Sequence, residues 1–80
     1  MLYLNLGGGH VVRRDSVVAV CDMDNTTGSR ATRELLAAAQ RAGEVITAAE
    51  DLPRSFVLCE EGGRRRVWLS SLSTAALSRR

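Results

Sequence analysis

The sequence predicts an α+β fold: a mainly antiparallel β-sheet with one packed amphipathic helix and a short C-terminal helix. Three observations carry this. Leu2, Leu4 and Leu6 alternate with Tyr3 and Asn5 at the period of two that marks a half-buried strand. Two strand-like runs, Ser55 to Glu60 and Arg65 to Ser70, flank Gly62-Gly63, the signature of a tight hairpin. The stretch from Ser29 to about Ala42 instead brings its apolar residues round at helical spacing.

The elements follow in order. Gly7-Gly8-Gly9 interrupts the first strand and Val11-Val12 resumes an extended run, so a hairpin is expected there. Arg13-Arg14-Asp15 reads as a turn, and Val17 to Cys21 as a continuous β-branched run suited to a central strand. Asn25 to Ser29 is turn-rich, with Ser29 as the expected N-cap of the helix. At about 100° per residue, Ala31, Leu35, Ala38, Ala39 and Ala42 share one face, and Arg30, Arg33, Ala37 and Arg41 the other. Gly43 stands where a C-terminal cap belongs. Glu44 to Ala48 predicts a short strand, and Glu50 to Arg54 a loop held by Pro53. Phe56, Val57, Leu58 and Cys59 make both faces of the next strand apolar, which places it inside the sheet, with Arg64-Arg65-Arg66 at its rim. Ser73 to Arg80 predicts a short helix that packs through Ala75, Ala76 and Leu77.

Eighty residues make a single domain, 1–80, near the lower limit for a self-sufficient hydrophobic core. With one Trp, one Tyr and one Phe, that core must be built mostly of Val, Leu and Ala, so self-association is a physical expectation. Cys21 and Cys59 cannot form a disulfide framework, and each lies in an apolar run where a reduced, buried thiol is the ordinary state. The chain starts on a strand-like segment and has no apolar run of about 18 residues, so a soluble, cytoplasmic protein without membrane contact is expected.

Val17 to Thr27, VVAVCDMDNTT, matches the nucleophile strand of haloacid-dehalogenase-type phosphatases, with Asp22 as nucleophile and Asp24 as proton handler. That chemistry also needs a cation on the phosphate and further carboxylates for Mg²⁺. The chain has no Lys, and Asp51 is the one Asp after Asp24, so an enzyme is not expected. Counted as an EF-hand loop from Asp22, the segment puts Thr27 at the glycine position and Arg33 at the bidentate Glu position, which rules out that Ca²⁺ site. Two roles remain open for Asp22, Asp24 and Asn25: bonding free backbone N–H groups where a strand ends and a helix starts, or pairing with an Arg of a neighbouring subunit. Gly7-Gly8-Gly9-His10 is followed by strand rather than helix, so a hairpin turn is expected rather than a phosphate cradle. His10 has no second His or Cys at ligand spacing, and no metal or other cofactor is expected.

All eleven cations are Arg, which suits bidentate phosphate and guanine recognition or interface ion pairs. A net charge of +2 does not by itself identify a nucleic-acid binder, and an ordinary solvated surface is the competing reading. Repetition around an oligomer changes this, because salt-sensitive affinity grows with the number of phosphates neutralised.

Four blocks in order, YLNLGGGHVV, VVAVCDMDNTTGSRATRELL, AEDLPRSFVL and VWLSSLSTAALSRR, carry a resemblance over nearly the whole chain. The chain resembles the RemA/RemB family of small bacterial extracellular-matrix (biofilm) regulators, its RemB-like branch above all. DMDNTT with the following TREL, and EDLPRSFV, are the most specific blocks. The resemblance implies a cytoplasmic, ring-forming homo-oligomer that binds double-stranded DNA and activates biofilm-matrix operons, with no small-molecule substrate. In RemA-like members a basic residue stands where this chain has Ser16, so Arg13 or Arg14 would take its place. The basic residue of the loop before the fifth strand carries over onto Arg54. Together with the helix stripe, the expected DNA contacts are Arg13, Arg14, Arg30, Arg33 and Arg54. The alternative is a ring-forming scaffold whose arginines make subunit contacts instead.

Overall fold

The computed structural model describes residues 2–23, 30–49 and 51–78. Among them run β1 (Tyr3–Gly7), β2 (His10–Arg13), a 3₁₀ turn (Arg14–Ser16), β3 (Val17–Asp22), α1 (Arg30–Arg41), β4 (Val45–Thr47), β5 (Ser55–Glu61), β6 (Arg64–Ser70) and α2 (Thr74–Ser78). The predicted α+β class holds. β1 and β2 form an antiparallel hairpin of their own, and the other strands form one sheet in the order β3-β5-β6-β4. Only the β4–β6 pair is parallel.

The sheet is covered on both faces. Val57 and Cys59 of β5 pack with Leu4, Leu6 and Val12 of the β1–β2 hairpin and Leu77 of α2, whereas Phe56 and Val67 pack with Ala39 of α1. This explains why successive residues of β5 are apolar: a strand with a layer on each side has no solvent face. Gly62 and Gly63, both at positive φ, make the turn between β5 and β6, as a two-residue connection between twisted strands requires.

Val17 to Cys21 is not central. β3 is an edge strand paired only with β5, and Val18 and Val20 are 61% and 39% exposed. A β-branched run reports preference for a pleated surface but not how many neighbours a strand has. The β1–β2 hairpin lies over the sheet rather than extending it, which leaves this edge open.

α1 is rotated from the predicted face. Ala39 is fully buried and Leu36 packs beside it, Leu35 and Ala38 are half-buried, and Ala31 and Ala42 are exposed. Burying a leucine removes more apolar surface from water than burying alanines, so the helix turns toward Leu36. The Gly43 N–H donates to the Gln40 carbonyl (3.2 Å) and the Glu44 N–H to the Ala39 carbonyl (2.9 Å), the paired bonds of a Schellman cap. The expected N-cap Ser29, and Asp24 and Asn25, lie outside the described residues.

Smaller corrections concern the chain ends. Leu2 precedes β1 and is exposed, and in α2 Leu77 is the buried contact while Ala75 faces solvent. Ser73 caps α2, its Oγ accepting the Ala76 N–H at 3.1 Å. The serines around the end of β6 fasten the layers together. Ser70, fully buried, donates its hydroxyl to the Leu6 carbonyl (2.8 Å) and accepts the Leu72 N–H (3.1 Å). Ser55 donates to the Leu72 carbonyl at 2.7 Å. No helix of the described residues is long and apolar enough to cross a membrane.

Candidate functional site

Arg54 sits where the sheet gains one more rung. Its N–H donates to the Ser70 carbonyl (2.8 Å) and its carbonyl accepts the Met23 N–H (3.0 Å), so its backbone is held from both sides. The side chain is exposed, and among the described residues it forms no ion pair. A guanidinium on a fixed backbone with no carboxylate to leave is well placed to meet an external anion.

Arg13 and Arg14 lie at the opposite end of β3. Arg13 ends β2, with the Asp15 carboxylate 2.7 Å away and that of Glu61 at 3.4 Å. Asp15 first, and Glu61 second, raise its affinity for the proton above the ordinary arginine value. An outside phosphate has to compete with both. Arg14 opens the 3₁₀ turn, exposed, its N–H donating to the Leu2 carbonyl at 2.9 Å.

Arg30 and Arg33 stand in the first turn of α1 on its exposed side. Arg30 reaches Glu34 one turn on, at 3.0 Å, an exposed i,i+4 pair that solvent screens. The C-terminal end of the helix is anchored elsewhere, because the Val67 N–H of β6 donates to the Glu44 carbonyl at 2.9 Å. The five predicted arginines therefore do not form one cluster. Arg54 is at one end of β3 and the pair Arg13-Arg14 at the other, with Arg30 and Arg33 on the helix layer.

The expected contacts omit Arg64 and Arg66, which strand alternation sends to one face of β6 while Arg65 goes to the other. Arg65 pairs with Glu44 at 2.9 Å, but among the described residues Arg64 and Arg66 have no ion pair. A run of three arginines was the sequence signal. The missing information was which of the three had a carboxylate beside it, and that depends on a contact 21 residues away.

The remaining motifs take structural roles. Gly7-Gly8-Gly9 turns the β1–β2 hairpin and opens no helix. A Cβ on Gly8, whose φ is +60°, would come within 2.9 Å of the Ala48 carbonyl oxygen, so glycine is required there. His10 lies against Trp68, ring centroids 5.7 Å apart and tilted by 54°. Asp22 ends β3, half-buried and in register with Ser55, while its partner in the phosphatase-like motif, Asp24, is outside the described residues. Burial pushes both thiols up from the ordinary cysteine value, and at Cys59 a hydrogen bond with Ser16 works in the other direction. Among the described residues, no three His, Cys, Asp or Glu side chains gather as a metal site would need.

Compared with known protein families, residues 3–80 match the family model RemA-like, described as extracellular matrix regulatory protein A-like. The match is at family level and does not separate the family's branches. No curated protein matches the chain. The matched span contains Arg13, Arg14, Arg30, Arg33 and Arg54, together with Arg64 and Arg66.

Proposed function

Since the chain belongs to the RemA-like family of extracellular-matrix regulatory proteins, we propose that it is a cytoplasmic regulator that binds double-stranded DNA as a ring-like homo-oligomer, without catalysis and without a cofactor. The observation that carries the DNA contact is Arg54: exposed, fixed through both backbone groups, and free of carboxylates among the described residues. Oligomerisation is supported by the open edge of β3 with Val18 and Val20 in solvent. An unpaired, apolar strand edge on so small a domain favours association. Repeating Arg54 around a ring multiplies the phosphates one assembly neutralises, which compensates for a net charge of only +2 per chain.

A second reading has its own support. Arg13, Arg30 and Arg65 are already committed to carboxylates, as arginines of a scaffold would be, and the alternative is a ring-forming protein that touches no DNA. Fluorescence anisotropy with a labelled matrix-promoter duplex across a salt series separates the two. Arg54→Ala is expected to weaken binding and flatten the plot of log K against log salt by about 0.9 per chain engaged, with the oligomer mass unchanged. Loss of the oligomer together with DNA binding would favour the scaffold.

A further inference from the structure

Two like charges stand side by side with no counter-charge of their own at the hairpin end of the sheet. Arg64 and Arg66 line a cleft of about 160 Å³ together with Arg13, Ser16, Cys59 and Trp68. The residue opposite Arg66 in register is Cys59, which brings no carboxylate. Glu61, opposite Arg64, also lines the cleft, but it is engaged by Arg13 at 3.4 Å. Three guanidinium groups therefore surround a space containing one carboxylate. Their mutual repulsion is relieved when an anion enters, so the free protein already favours the bound state of a phosphate.

From this arrangement we infer that the cleft is a phosphate site, in which Arg64 and Arg66 hold a phosphate group of the DNA backbone. The identity of the polymer rests on the DNA-binding reading above; the phosphate chemistry does not. The volume argues for one group of a larger molecule, since sites that enclose a whole small ligand run to about 300–1,000 Å³. Arg54 precedes β5 and Arg64 pairs with the last residue of that strand, so the two sites are roughly 20 Å apart at about 3.3 Å per residue. One phosphate cannot serve both, and each chain anchors DNA at two separate points.

The test uses the full chain and the variant Arg64→Ala/Arg66→Ala, whose exposed side chains leave the core intact, with circular dichroism and light scattering as controls. Against a labelled DNA duplex, the variant is expected to flatten the salt slope by about 1.8, two phosphate contacts at about 0.9 each, and Arg64→Lys/Arg66→Lys to keep the slope. An alanine variant with unchanged affinity and slope, while Arg54→Ala still alters both, overturns this site and leaves the DNA reading standing. If the wild-type protein binds no DNA at any salt, the DNA reading fails. Tripolyphosphate titrated against the fluorescence of Trp68, the single tryptophan, then decides the cleft. A response lost in the alanine variant supports the site with a free phosphate compound as its source, and no response overturns it.

Discussion

At the scale of single residues, the decisive property of an arginine here is whether a carboxylate already holds it. Exposure alone does not separate Arg13 from Arg54, since both side chains reach solvent, yet Arg13 lies 2.7 Å from Asp15 and Arg54 has no such partner among the described residues. The partners that decide this are distant in sequence: Glu61 is 48 residues from Arg13. The cysteines supply a pH prediction. Burial raises both thiols, so the folded protein keeps protons that the unfolded chain has lost. Their contribution to stability is complete below the ordinary thiol value, about 8.5, and is lost as pH rises through the raised folded value. Urea unfolding under reducing conditions is expected to show stability falling above that pH, with a flatter profile for Cys21→Ala/Cys59→Ala. Identical alkaline slopes in the two proteins would show that the thiols do not contribute.

Among the elements, the end of β6 is where the layers are tied. Ser70 is buried between the hairpin and the sheet, and its hydroxyl serves both the Leu6 carbonyl and the Leu72 N–H. Ser70→Ala leaves two backbone groups without that partner and is expected to cost about 1–3 kcal/mol of unfolding free energy, measured by urea titration. Hydrogen exchange should quicken first in β1, whose Leu6 carbonyl the serine holds. A variant as stable as wild type would mean that water replaces the hydroxyl fully. The serines were not legible as latches, because a polar residue closing a strand reads as a solvent-facing end until another layer is seen to cover it. The β5–β6 hairpin was legible, because its glycine pair and flanking strands are local signals.

For the whole molecule, three thin layers enclose two small clusters of buried residues and leave the β3 edge uncovered. Light scattering at micromolar concentration is expected to give a mass several times the 8.7 kDa of one chain. Val18→Lys, a charge on the open edge, is expected to lower that mass. A wild-type mass of one chain would remove the ring from the proposal. By itself the sequence determined which segments are strands and helices, that β5 is apolar on both faces, and which family the chain resembles, because periodicity, glycine pairs and motif order are local properties of the chain. Only the tertiary structure decided that β3 is an edge, that α1 turns toward Leu36, and that Arg64 and Arg66 stand without carboxylates while Arg65 does not. Those outcomes depend on strand order and on contacts between distant segments, and no local pattern of residues encodes which surfaces will meet.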